Sequence, residues 1–121
     1  MRNSLILTAA LALSLIFPGV AKADKVICFK IPVNGESLNG PCDLMRWGSN
    51  PASPALSVKY VVSWGEGTLN TIRLGRVTES NDKNIKGEAT IDDRPVRFIY
   101  VRETNALLIL GQAGTMRIVL D

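Results

Sequence analysis

From residue 24 onward, apolar and polar side chains alternate with a period of two, and no stretch sustains the 3.6-residue period of a helix. In SVKYVVSW, Val58, Tyr60, Val62 and Trp64 fall on one face, with Ser57, Lys59 and Ser63 opposite. IKGEATI sets Ile85, Gly87, Ala89 and Ile91 against Lys86, Glu88 and Thr90, and TMRIVL groups Met116, Ile118 and Leu120. Successive strand residues point to opposite faces, so these segments predict antiparallel strands with one face buried and one wet.

The breaks between them are rich in turn formers: Asn34-Gly35, Gly65-Glu66-Gly67, Ser80 to Asn84, Asp92-Asp93, Glu103 to Asn105 and Gly111 to Gly114. Such residues supply the positive φ that tight hairpins need. Strands are predicted at 25–32, 40–46, 57–64, 68–77, 85–91, 95–102, 106–110 and 115–120. The chain thus reads as an all-β antiparallel meander of about seven to eight strands. Its short connections favour a closed barrel over a sandwich, since closure removes exposed edges. Gly48 to Ala55, GSNPASPA, is the exception: two prolines keep it out of a central strand, so it is a crossover or an irregular loop over one barrel end.

Two strands are apolar on both faces. VRFIYV alternates Val96, Phe98 and Tyr100 with Arg97, Ile99 and Val101, and ALLIL, Ala106 to Leu110, has no polar residue. Cover on both sides by loops or a second sheet is the expectation, because apolar surface is normally buried. The alternative is an exposed patch that pairs with a partner or a second copy through Ala106–Leu110.

The start of the chain has a different composition. Arg2, an apolar run from Leu5 to Phe17, and Ala21-Lys22-Ala23 form the three parts of a cleavable export signal, with the cut between Ala23 and Asp24. The run is shorter than the roughly 20 apolar residues of a membrane span. Removing 23 of the 121 residues leaves 98, one small all-β domain at 24–121 with no later membrane span. The segment carries Arg2 and Lys22 and no acid, so 14 Lys+Arg become 12 against 11 Asp+Glu, and the net charge drops from +3 to +1. The remaining cations are scattered singly, which argues against nucleic-acid binding. The expected location is the bacterial periplasm or the cell exterior.

Export also decides how Cys28 and Cys42, the chain's two cysteines, are read. In an oxidising compartment an even pair predicts a disulfide, here a staple across the first two strands. A Cys-x-x-Cys redox pair and a four-ligand zinc site are both missing. The chain has no histidine, which removes Ser-His-Asp and Cys-His catalysis and His-ligated metals. Asp92-Asp93 reads as a turn, because adjacent strand residues face opposite ways. Serine–lysine catalysis would need a serine beside a buried lysine, and GEG and GQAG lack the helix and terminal Lys-Ser/Thr of a phosphate loop. No enzyme, no metal and no cofactor is expected.

Binding remains, and large aromatic residues are its usual anchors. Trp64 shares its strand face with core residues. Trp47 ends CDLMRW and enters the Pro-Ser loop, where it either plugs the barrel end or forms, with Arg46 and Asn50, a platform for sugar or peptide contact. In size, export signal, paired cysteines and β content the chain is similar to small exported lysozyme inhibitors. The Ser-Gly-x-x-Tyr loop of one such group does not occur in it, and no residue roles carry over. The leading expectation is an exported, non-enzymatic binding or inhibitor module with a protein or glycan partner. The alternatives are an envelope assembly protein pairing through ALLIL or a sheet edge, and a β-barrel carrier of a small ligand.

Overall fold

The computed structural model describes residues 23–65 and 67–120. The expected leader lies, apart from Ala23, outside the described residues. The rest forms β1 (Asp24–Pro32), β2 (Leu38–Trp47), β3 (Lys59–Gly65), β4 (Thr68–Ser80), β5 (Asn84–Ile91), β6 (Arg94–Val101), β7 (Ala106–Gly111) and β8 (Gly114–Val119). Each strand pairs antiparallel with its neighbours in sequence, and β8 returns to pair with β1 from Cys28↔Ile118 to Pro32↔Gly114, which closes the barrel. The all-β barrel expected from the alternation is what the chain forms. Every strand is paired on both sides, so the sheet-edge form of assembly has no unpaired strand to use.

The turn residues behave as their chemistry requires. Asp92 and Asp93 both adopt positive φ, 50° and 66°, in the two-residue β5–β6 hairpin. Strand β4 departs most from the prediction. It runs to Ser80 and changes register between Leu74 and Val77 and again between Val77 and Glu79. Bulges of this kind bend a strand and increase its twist, which helps eight strands close. Gly87 on β5 allows the bent segment to press in, since a Cβ there would lie 2.4 Å from the Arg76 carbonyl oxygen and 2.6 Å from Phe98 Cε2.

Inward parity fills the interior with Val26, Leu44, Tyr60, Val62, Ile72, Ile85, Phe98, Leu107 and Ile118, all buried. The Cys28–Cys42 disulfide, with Cα atoms 5.9 Å apart, joins β1 to β2 inside the barrel, where both residues are shielded from solvent. The second strand starts two residues before the predicted 40–46: Asn39 and Gly40 already pair with Phe29 and Cys28, so the loop at this tip is only Val33 to Ser37. Of the two strands apolar on both faces, β6 and β7 bury Phe98, Tyr100, Leu107 and Ile109 inward. Their outward residues Ile99, Val101, Leu108 and Leu110 are half-buried. All described strands belong to the one barrel, so the expected second layer is not there; Ile99 and Leu108 sit side by side on the outer wall instead.

Candidate functional site

The two ends of the barrel are built differently. At one end the β2–β3 connection folds back over the opening. Leu56 enters the core with 1% exposure, and Ala52 and Ala55 pack against it. Its backbone is held by Asn50 N–H to the Leu56 carbonyl (3.1 Å), Ser53 N–H to the Asn50 carbonyl (3.2 Å) and Leu56 N–H to the Ser53 carbonyl (3.1 Å). The irregular loop expected over one barrel end is therefore a plug with its own hydrogen bonds, as a buried non-regular segment must have.

This plug accounts for the polar side chains around it. Arg46 faces inward beside Tyr60, its guanidinium carbon 5.5 Å from the ring centroid. Its Nε donates to Ser57 Oγ at 3.0 Å and its Nη2 to the Ala55 carbonyl at 2.7 Å. Asn50 is buried, donating through Nδ2 to the Ser57 carbonyl and accepting at Oδ1 from Ala52 N–H. The Tyr60 hydroxyl accepts the Ser57 N–H at 2.8 Å. Burial raises the Tyr60 phenol above the ordinary tyrosine value; the Ser57 bond and the Arg46 charge offset this in part.

Trp47 lies on the other side of the wall. It pairs with Lys59, one residue out of phase with inward-facing Arg46 and Tyr60, and Lys59 Nζ stands 4.8 Å from its ring centroid. The structure thus does not assemble Arg46, Trp47 and Asn50 on one surface. Arg46 and Asn50 hold the plug from within, while half-buried Trp47 belongs to the outer wall.

The opposite end is open. There the inward-facing residues nearest the rim enclose a cavity of about 570 Å³, with Lys30, Asn70, Ile91, Arg94, Val96 and Met116 in its wall. The volume falls within the roughly 300–1,000 Å³ of small-molecule sites. Ile109 and Met116 are 2% and 3% exposed and form its apolar floor. Gly40, which faces inward opposite Cys28, adds no side chain, and a Cβ there would meet no atom within 4 Å.

A polar chain stiffens the rim. Trp64 Nε1 donates to Asn70 Oδ1 (2.9 Å), Asn70 Nδ2 donates to Asp92 Oδ2 (2.8 Å), and Thr71 N–H donates to Asp92 Oδ1 (2.9 Å). Asp92 is consumed in bracing the β5–β6 turn to β4, as the turn reading of Asp92-Asp93 expects. Lys30 Nζ lies 5.7 Å from the Trp64 ring centroid, within cation–π range. Lys30 and Arg94 were not among the candidate residues. Their signal was parity: Lys30 is two residues from the inward Cys28, and Arg94 is two and four residues from Val96 and Phe98.

One Ser-x-x-Lys spacing does occur, from Ser80 to Lys83, but both residues are exposed at the β4–β5 turn, and Ser80 Oγ accepts from Arg102 Nη2. Among the described residues, no three His, Cys, Asp or Glu side chains are grouped to hold a metal ion.

The chain is thus an eight-stranded up-and-down barrel, plugged at one end and open at the other. No family model, curated protein or solved structure matches it.

Proposed function

We propose that the protein is an exported, non-enzymatic binding module that holds a small molecule in the open mouth of its barrel. The observation that carries this reading is the asymmetry of the ends. A barrel needed only as a stable body would gain from filling both, yet here a buried loop with Leu56 seals one, while a cavity of about 570 Å³ stays open at the other. Up-and-down barrels of eight strands can hold one small ligand at this position. The reading selects the carrier alternative from the sequence and leaves the plug residues with a structural task.

Native mass spectrometry of the oxidised protein, gently purified from its source cells, tests the proposal. A bound small molecule is expected, and Val96→Trp, which fills the mouth from a half-buried position, abolishes it. The reading fails if the protein carries nothing and the neutral dye Nile red binds wild type and Val96→Trp alike.

A second reading has an observation of its own. Ile31, Val33 and Leu38 are 46%, 67% and 53% exposed around the β1–β2 tip, whose ends the disulfide fixes. Exposed apolar residues on a stapled hairpin favour a protein partner, as in an inhibitor. Val33→Asp would weaken such a complex and leave small-molecule binding intact.

A further inference from the structure

We propose that the mouth selects an organic anion, with its negative group between Lys30 and Arg94 and its apolar body on Ile91, Val96 and Met116; this rests on the small-molecule reading of the same cavity.

The charge balance of the cavity is the first ground. Lys30 and Arg94 both line it, on strands three steps apart round the wall, and among the described residues no Asp or Glu does. The rim carboxylate of Asp92 has both oxygens occupied, by Thr71 N–H and Asn70 Nδ2. Three cations on the outer wall do have carboxylate partners: Lys25 pairs with Asp43 at 2.8 Å, Arg76 with Glu88 at 3.1 Å and Lys86 with Glu79 at 3.9 Å. Neither Lys30 nor Arg94 forms an ion pair among the described residues. Two uncompensated cations facing one concave site repel each other, and their field is strengthened by the low-dielectric wall behind them.

The second ground is how Lys30 is held. A lysine facing inward beside a buried disulfide could extend straight into water. Instead its ammonium lies against the Trp64 ring, and that ring is fixed by its own hydrogen bond to Asn70. Lys30 is therefore positioned over the opening before any ligand arrives, which reduces the ordering cost of binding. Arg94 adds a planar fork that matches a carboxylate with two hydrogen bonds.

The third ground is the floor. Ile91, Val96, Ile109 and Met116 offer an apolar surface beneath the cations, and Met adapts to ligands of varied shape. A cationic rim over an apolar floor fits a carboxylate carried on an aliphatic or aromatic body better than a sugar or a metal ion.

Decanoate, decanol and decyltrimethylammonium, each below its micellar concentration, are the probes. Binding is followed by Trp64 fluorescence in a Trp47→Phe background and by methyl shifts of Ile91, Val96 and Met116. Decanoate should bind at least tenfold more tightly than decanol, and decyltrimethylammonium should not bind measurably. Lys30→Met and Arg94→Met should each bring decanoate towards the affinity of decanol, with decanol binding and melting temperature unchanged. Equal binding of decanoate and decanol would overturn the anion selection and leave the cavity reading standing. Preference for the ammonium probe would overturn it as well. If neither decanoate nor decanol shifts the mouth methyls, the cavity reading falls along with it.

Discussion

The disulfide inside the barrel can be separated into two contributions by how it is removed. It closes a segment with a sequence separation of 14. Loop-closure entropy assigns such a bridge ~3 kcal/mol, exerted on the unfolded chain. A domain of roughly 60–100 residues shifts its melting temperature by about 4–8 °C per kcal/mol. Reduction should therefore lower the melting temperature by about 12–24 °C, against a typical total stability of about 5–15 kcal/mol.

Reduced thiols still fill the space of the bridge, so reduction isolates the chain term. The double variant Cys28→Ala/Cys42→Ala also empties interior volume, because the two residues are 0% and 2% exposed. Void formation in a core adds about 1 kcal/mol or more. Calorimetry of the oxidised, reduced and double-alanine proteins should rank them in that order. A reduced protein melting within about 4 °C of the oxidised one would refute the reasoning. It would mean that the β1–β2 hairpin stays closed in the denatured chain, so that the bridge has no freedom to remove.

Two further substitutions examine the plugged end. Leu56→Ala should cost about 2–5 kcal/mol in urea unfolding, the range for truncating a buried leucine, and should speed hydrogen exchange at Ser57; a cost below about 1 kcal/mol would show that the loop merely lies on the barrel. Tyr60→Phe leaves the buried Ser57 N–H without its acceptor, at about 1–3 kcal/mol. It should also alter the alkaline limb of the stability curve. Because the folded-state phenol is raised above the unfolded one, the unfolded chain loses its proton first as pH climbs past about 10. Stability is then intact below that pH and falls above it, by up to about 1.4 kcal/mol per pH unit from this group. The phenylalanine variant should fall less steeply in denaturant titrations between pH 9 and 11, and an unchanged slope would count against the burial effect.

The barrel was legible because nearly every strand of this chain obeys a single rule. Tyr60 and Val62, Ile85 and Ala89, and Met116 and Ile118 are apolar at alternate positions and are buried in the structure. Short Gly- and Asx-containing breaks then leave room only for hairpins between neighbours. The register changes in β4 were not legible, because TLNTIRLGRVTES continues to alternate loosely while its backbone slips relative to β5. The outward apolar residues of β6 and β7 misled for a related reason. On a strongly curved small barrel, Ile99 and Leu108 shield one another laterally on the outer wall, so half-burial is reached without a second layer.

The candidate site depended on the parity of two strands, and the cysteines hold the key to both. Strand β1, DKVICFKIP, is apolar at odd and even positions alike, so hydropathy alone would turn Phe29 and Ile31 inward and Lys30 outward. A disulfide staple buried in the barrel requires Cys28 to face in, which carries Lys30 inward and turns Ile27 and Ile31 out to 51% and 46% exposure. The same reasoning along β2 carries Cys42, Leu44 and Arg46 inward and Trp47 outward. Arg46 and Trp47 could never have shared a platform, since adjacent residues on one strand face opposite sides. Parity thus separates two inward cations of equal charge by what surrounds them. Arg46 meets the Ser57 hydroxyl and the Ala55 carbonyl of a loop that closes its end. Lys30 meets a tryptophan face in a cavity whose lining, among the described residues, holds no carboxylate, and that contrast makes the mouth the place where an anion would be stabilised.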